Sequence, residues 1–182
     1  MAARDLSALK RAADGLELLT PRLPDGTFDY RVASSPPKLG IEKMVDNDPL
    51  TSGGLWGKDK AITMDFGCLF KVRSEAFHLQ ARVGFPARVT DAVVYGSNDD
   101  KHWTLLTKNK AVRSPDMQIL AVKEEERTKA YRYLRFFMPA EAYPIFEIAE
   151  LRIVGERIDE GLPIAGVRRL DHPRHRSWNV HH

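Results

Sequence analysis

The chain has 182 residues, 43% of them hydrophobic and 29% charged, a composition typical of a soluble globular domain with its own core. Its net charge is +3, and residues 163–182, with four arginines and one aspartate, account for all of it. The body of the chain, residues 1–162, is therefore balanced in charge and does not resemble a nucleic-acid-binding protein. The single cysteine, Cys68, excludes an internal disulfide.

No targeting or membrane-spanning segment is predicted. Residues 1–23 contain neither the unbroken apolar stretch nor the small-residue cleavage site of a signal peptide. No apolar run approaches the roughly 18 residues that a transmembrane helix needs. We therefore expect either a cytosolic protein or a piece of a longer exported one.

The N-terminal part predicts a short helix and then a strand. Apolar residues recur at spacings of three and four over residues 4–19, which indicates an amphipathic helix. Residues 27–34 alternate apolar and polar side chains, as a strand does. We expect residues 1–26 to form a helical arm or linker, and residues 158–182, with few strand signals, to form a basic tail.

Short alternating segments separated by turns follow along the chain, a pattern that predicts an all-β fold. The clearest segment is 89–107, where two apolar strands flank a turn rich in Gly, Ser, Asn and Asp, as in a β-hairpin. The charge run at 123–129 is expected to be a solvated turn. Further strands are expected at residues 61–66, 70–72, 77–83, 117–122, 130–138 and 146–154.

The loop over residues 41–56 concentrates side-chain oxygens. Asp46, Asn47, Asp48 and Thr51 lie close together in it, and crowded hard oxygen donors suit a calcium ion. The same residue types also form turns in which Asp and Asn bond the nearby backbone. The loop is therefore either a calcium site or a bare turn.

Five segments resemble landmarks of one known family and occur in its order. They are DNDPLTSGGLW, AITMDFG, VVYGSNDDKHW, YRYLRF and IAELRIVG. They are similar to the D-G-x-x-x-T-x-W loop, the I-x-L-D-L-G strand, the Y-x-S-x-D-G-x-x-W hairpin, the Y-R-Y-L-R strand and the closing I-x-E-L-x-x-x-G strand of the discoidin family. This family is also called the coagulation factor 5/8 type C domains, and its bacterial relatives are the family 32 carbohydrate-binding modules. The chain resembles the bacterial modules most, since it lacks the disulfide of many animal members.

The resemblance implies a fold and a metal site. The fold would be an eight-stranded antiparallel jelly-roll β-sandwich of the galactose-binding-like type over residues 27–157, with the short N-terminal helix at its edge. The strand-end loops would form the ligand surface. A structural calcium ion would be held by the matching residues Asp46, Asp48, Thr51 and Glu150.

The resemblance also suggests ligand-binding residues. Arg82 matches a strand-end arginine that bonds sugar hydroxyls in relatives, although a surface salt bridge explains it equally well. Trp56 is either a core residue, as in the family, or a sugar platform pushed outward by the preceding Ser-Gly-Gly-Leu. Tyr143 lies where relatives place a sugar-facing aromatic. Phe85 and Arg88, a loop-tip aromatic and its basic neighbour, complete the set, and such a tip is also what a membrane-binding loop would use.

Catalytic patterns are missing from the sequence, and the expected function is binding. Cys68 has no histidine near it, and neither a Ser-His-Asp pattern nor an HExxH motif occurs. We expect a non-catalytic, lectin-like module that binds a glycan, beside a catalytic domain in a larger bacterial protein that is secreted or at the cell surface. Because residues 34–38 lack the polar sugar ligand of relatives, ordinary galactose specificity is not expected. The alternative is a protein-interaction or adhesion module on the same fold.

Overall fold

The computed structural model describes residues 17–19, 33–35, 41–46, 48–58, 60–67 and 70–159. The strands are β1 (Glu17–Leu19), β2 (Ala33–Ser35), β3 (Gly53–Trp56), β4 (Lys60–Asp65), β5 (Phe70–Ala81), β6 (Val93–Ser97), β7 (Thr104–Leu105), β8 (Gln118–Ala121), β9 (Ala130–Tyr131), β10 (Tyr133–Met138) and β11 (Ile145–Asp159). A four-residue helix, α1 (Ile41–Met44), precedes β3, and 3₁₀ turns occur at Pro86–Val89 and Glu124–Glu126. Among these residues no helix has the length and apolar character needed to cross a membrane.

The strands form two antiparallel sheets. Sheet A has the order β1-β11-β5-β8, with β3 also paired to β11 and β9 to β5, and sheet B has the order β2-β4-β10-β6-β7. This architecture confirms the predicted all-β sandwich. Eleven strands are described where eight were expected, because several are pieces of two or three residues. β9 and β10, for example, are separated by Arg132 alone.

Period-two alternation places the core between the two sheets. In β4 the predicted inward residues Ile62 and Met64 are fully buried, as is Leu134 of β10. Phe77 of sheet A meets Phe136 of sheet B edge to face, with ring centroids 5.7 Å apart and ring planes at 88°. Each buried side chain of this size contributes roughly 1.5–3 kcal/mol, so contact between the sheets is the main source of stability.

β5 and β11 form the longest strand pair, with 12 and 15 residues, and both exceed the strands predicted for these segments. Neighbouring residues whose side chains point to opposite faces, Phe77 and His78, are 0% and 1% exposed, so the pair is buried on both sides. The register shifts between Val154 and Gly155. A Cβ at Gly155 would lie 2.0 Å from the carbonyl oxygen of Arg73, which explains a glycine in mid-strand.

The predicted hairpin is present as β6, β7 and the turn between them. The Asp99 carboxylate accepts hydrogen bonds from the backbone N–H groups of Lys101 and His102, at 2.9 and 2.8 Å. These bonds, the one from His102 above all, hold the pKa of Asp99 well below its usual range. The first predicted residue of the hairpin, Val89, belongs instead to a 3₁₀ turn, and the strand begins at Val93.

The predicted N-terminal helix is wrong where the structure describes it. Glu17–Leu19 form β1, which pairs with β11 from Gly155 to Ile153. Pairing at the edge of sheet A satisfies this backbone, so tertiary context overrides the helical spacing of the side chains. Residues 4–16 of the helix, most of the strand at 27–34 and residues 160–182 of the tail lie outside the described residues.

The charge run at 123–129 is only partly the solvated turn that was predicted. Its residue Glu126 is 6% exposed and accepts a hydrogen bond from the Tyr131 hydroxyl. Lys129 pairs with the same carboxylate at 3.2 Å. Burial, followed by the interaction with Glu126, raises the pKa of Tyr131 to about 12. This glutamate therefore has a structural role that the surrounding charges concealed in the sequence.

We predict that Tyr131→Phe lowers the free energy of unfolding by about 1–3 kcal/mol, because the buried Glu126 carboxylate loses its hydroxyl donor. Urea unfolding followed by circular dichroism measures the change. Tyr133→Phe is the matched control, since the Tyr133 hydroxyl makes no hydrogen bond within the described residues, and it should shift stability by less than about 0.5 kcal/mol. Equal stability of Tyr131→Phe and the original chain would contradict the assignment.

Candidate functional site

A cleft of about 440 Å³ opens at one end of sheet A. Strand β3, the start of β11 and the segment after β5 supply its walls, because antiparallel pairing brings the end of β5 and the start of β11 together. The polar and aromatic residues that line it are Lys43, Ser52, Trp56, Arg82, Arg88 and Glu147. The cleft therefore lies at strand ends, where the ligand surface was expected.

A register shift between β5 and β11 determines which residues face each other in the cleft. Glu150 pairs with Gln80, but beyond the shift Ile148 pairs with Ala81. Continued by one residue pair, the shifted register sets Glu147 opposite Arg82. Without the shift, Glu147 would lie opposite Val83. The two side chains form a salt bridge of 3.2 Å. The bulge thus sets a cation, and not the apolar Val83, opposite Glu147 and creates an ion pair at the cleft.

The close approach of β3 to β11 depends on a glycine. Gly54 pairs with Glu147, and Trp56 pairs with Ile145. A Cβ added at Gly54 would lie 2.1 Å from the carbonyl oxygen of Phe146, closer than any side chain can come. Only glycine lets the strand lie this near, and that position carries Trp56 to the rim of the cleft.

Trp56 is the most prominent aromatic of the site, with 77% of its surface exposed. On one side it borders the cleft, and on the other it borders a shallow, almost entirely apolar hollow lined by Gly57, Pro144 and Ile145. Of the two alternatives for Trp56, a core residue or an outward-facing platform, the structure has the outward-facing one. An indole at a strand end with an open face can stack on the C–H face of a flat ligand.

Glu147 is the polar centre of the cleft. Its carboxylate accepts hydrogen bonds from the Ser52 hydroxyl at 2.7 Å, from Arg88, and from Arg82 at 3.2 Å. Burial alone would raise the pKa of Glu147, but the bonds from Ser52 and Arg88 and the charge of Arg82 lower it below its usual value. The carboxylate is therefore ionised at neutral pH and holds both guanidinium groups in place.

Phe85 contacts both arginines from the loop between β5 and the 3₁₀ turn. The guanidinium carbon of Arg88 lies 3.9 Å from the centroid of the ring, and that of Arg82 lies 4.9 Å from it. Such cation–π contacts restrict the side chains that they touch. Phe85 thus supports the two arginines and does not itself line the cleft.

The structure brings three of the five predicted ligand-binding residues to one cleft, namely Trp56, Arg82 and Arg88. Arg82 forms the salt bridge of one of its two interpretations, and its side chain is still 46% exposed, so the sugar-binding interpretation stays a prediction. Tyr143 is partly buried against the core and does not line the cleft. The ligand-contacting role of each residue stays a prediction.

Three contributors to the cleft, Lys43, Glu147 and Ser52, were missed in the sequence. Glu147 lies between Phe146 and Ile148, which are both fully buried. A charged residue inside such an apolar run is a signal, but its partners become evident only from the strand register. Ser52 was considered only as part of the Ser-Gly-Gly-Leu stretch before Trp56, and the fold places its hydroxyl against a carboxylate 95 residues away.

The predicted calcium loop is compact and bonded to itself. The Thr51 hydroxyl donates to Asp46 at 2.5 Å, and the backbone N–H of Asp48 donates to the same carboxylate at 3.0 Å. Glu150 is 1% exposed on β11. Within the described residues no group of three or more His, Cys, Asp or Glu side chains is arranged for a metal ion. The oxygen donors are of the type that calcium prefers, but Asp46 and Asp48 by themselves supply only two carboxylates. Calcium binding therefore stays a prediction.

Solved structures with a similar fold include carbohydrate-binding modules. The C-terminal domain of a chitobiase from Bacteroides fragilis is similar, with a TM-score of 0.57, 14% identity and coverage of 79% of this chain and 100% of that domain. A family 32 module of Clostridium perfringens GH89, solved with GalNAc-β-1,3-galactose, has a TM-score of 0.53 at 15% identity and covers 72% and 97% of the two chains. The family 32 module of AlyQ, solved with 4,5-unsaturated mannuronic acid, has a TM-score of 0.51 at 15% identity, with coverage of 68% and 92%.

At sequence level there is no corresponding match. No protein-family model matches the chain, and no curated protein does. At such low identity the structural similarity shows the fold alone, which is the galactose-binding-like sandwich predicted from the five sequence landmarks.

We predict that Gly54→Ala lowers the free energy of unfolding by about 1–3 kcal/mol, because β3 must move away from β11 to admit the methyl group. Trp56→Ala is the contrasting variant: it removes far more atoms, but from an exposed position, and should change stability by less than about 0.5 kcal/mol. Urea unfolding of both variants is the measurement. A Gly54→Ala protein as stable as Trp56→Ala would show that the close approach is unimportant.

We also predict that calcium raises the melting temperature by about 5–10 °C at a hundredfold excess over its Kd, because an ion bound only to the folded state stabilises it. Asp48→Asn should abolish this response by removing one carboxylate. Asp116→Asn, in an exposed loop, is the control and should keep it. Identical melting curves of the original chain with calcium and with a chelator would identify the loop as a bare turn.

Proposed function

We propose that the chain is a non-catalytic carbohydrate-binding module whose glycan binds in the cleft between Trp56 and Arg82. The observation that carries this proposal is an indole with 77% exposure beside a half-exposed guanidinium at a strand end. Sugars need a flat apolar surface for their C–H faces and planar polar groups for their hydroxyls, and the cleft offers both. Glu147 holds the arginines at the polar side, and the apolar hollow behind Trp56 extends the surface.

The similar solved structures support the same kind of ligand. The GH89 module was solved with a disaccharide and the AlyQ module with an unsaturated uronic acid. Because these modules share only the fold with this chain, the proposal depends on its own cleft and not on their residues.

The polar groups of the cleft suit binding better than catalysis. A general acid at neutral pH needs a raised pKa, whereas the pKa of Glu147 is lowered and its carboxylate is engaged by Ser52 and two arginines. A glycan held by one aromatic face and one free guanidinium edge binds weakly. Retention would therefore come from tethering to a catalytic domain or from several copies. We accordingly propose an accessory domain of a larger bacterial protein that acts outside the cell or at its surface.

The test is a glycan array probed with the original chain, Trp56→Ala, Arg82→Ala and the control Leu50→Ala, whose side chain is 80% exposed but does not line the cleft. We expect binding to one class of glycan, reduced about tenfold or more by Trp56→Ala because stacking is lost. Arg82→Ala should weaken binding as well, and Leu50→Ala should not.

Circular dichroism and melting curves establish that each variant is folded. A blank array from folded protein would overturn the proposal and favour the protein-interaction module instead. Binding that is lost only in Leu50→Ala would place the ligand at another surface.

A further inference from the structure

The charges of the cleft are unequal. Three basic side chains line it, those of Lys43, Arg82 and Arg88, against the single carboxylate of Glu147. The remaining lining residues are uncharged. The cleft therefore carries an excess of two positive charges, although the body of the chain as a whole is balanced.

The excess belongs to Arg82 and Lys43, because the carboxylate of Glu147 is matched by the most buried of the three cations. The side chains of Arg88 and Glu147 are 16% and 15% exposed and form a direct salt bridge. Ser52 occupies a further acceptor position of the same carboxylate. Arg88 and Glu147 thus form a neutral, partly buried pair at the back of the cleft.

Arg82 keeps donors that can reach a ligand. Its hydrogen bonds to described residues all come from Nη1, which contacts the two oxygens of Glu147 at 3.2 and 3.4 Å. Nη2 and Nε make no hydrogen bond within the described part of the chain, and the side chain is 46% exposed. Lys43 is exposed too, and its ammonium forms no ion pair with any described residue. The cleft is therefore lined by two exposed cations with donors that no described residue uses.

We propose that the glycan is acidic, with a carboxylate or sulfate group on the sugar that stacks on Trp56. This inference depends on the proposed function and specifies its ligand. A guanidinium edge matches a carboxylate or sulfate group with two parallel hydrogen bonds, which are stronger than those to a neutral hydroxyl. A neutral sugar would leave the charges of Arg82 and Lys43 unused. Because Arg82 is half exposed, salt screens part of the attraction.

The decisive measurement compares ligands in pairs, in which an acidic group of one member is esterified or missing in the other. Titration calorimetry at low and high salt is carried out with 3′-sialyllactose and its methyl ester, with oligogalacturonate and its methyl ester, and with a sulfated and an unsulfated galactose oligosaccharide. In at least one pair we expect the acidic member to bind about tenfold more tightly at low salt, and the preference should shrink as salt is added.

Variants separate the charge from the platform. Arg82→Gln should weaken the acidic members more than the neutral ones and so reduce the acidic preference towards unity, because the amide still donates to hydroxyls but carries no charge. Lys101→Gln, at an exposed position of the β6–β7 turn outside the cleft, removes the same charge and should leave the preference intact. Trp56→Ala should weaken the acidic and neutral members alike.

The two proposals fail in different ways. Equal affinity for the acidic and neutral members of every pair, with binding still dependent on Trp56, would overturn the acidic ligand and leave the carbohydrate-binding function standing. A preference that Lys101→Gln reduces as much as Arg82→Gln would also overturn it, because general surface charge would then be the cause. No binding of any sugar by the folded chain would overturn both proposals.

Discussion

The antiparallel pairing of β5 with β11 is the interaction on which the sandwich and its cleft both depend. β11 also pairs with β1 and β3, so three strands of sheet A are aligned against one. Burial on both faces makes the pair rigid, and its two register shifts are accommodated by the strands themselves. A surface site gains from this arrangement, because side chains at the ends of a long, buried strand pair are positioned more accurately than those on a free loop.

The same pairing explains why a carboxylate is present in a cleft with an excess of positive charge. Glu147 follows the start of β11 and faces Arg82 through the shifted register. Without it, two guanidinium groups close to one phenyl ring would repel each other. Because the pKa of Glu147 is lowered, its carboxylate stays charged and offsets the two guanidinium groups down to mildly acidic pH. The stabilisation that it contributes is present above the ordinary glutamate pKa and is lost as pH falls through the lower, folded-state value.

Sequence reasoning succeeded where local periodicity and a family's short landmarks decide the structure. Alternation alone identified Ile62 and Met64 as inward-facing, and the turn composition placed the β6–β7 hairpin. It failed where distant backbone pairing decides, as in Glu17–Leu19, which pair with β11 against their helical spacing. The exposure of Trp56 was undecidable for the same reason, because it depends on how closely Gly54 approaches a strand more than 90 residues away.

The candidate site was predictable in its parts and not in its organisation. Three cleft residues were identified individually, each with an alternative explanation, and the structure unites them around a glutamate that no local signal connected to them. That difference affects how specificity is interpreted. An arginine considered alone is a donor for any hydroxyl, but Arg82 uses one nitrogen to bind Glu147, and its other two make no hydrogen bond to a described residue beside the exposed indole of Trp56. The carboxylate thereby fixes the direction of the guanidinium, so the geometry that tells one sugar from another depends on a residue that need not touch the ligand.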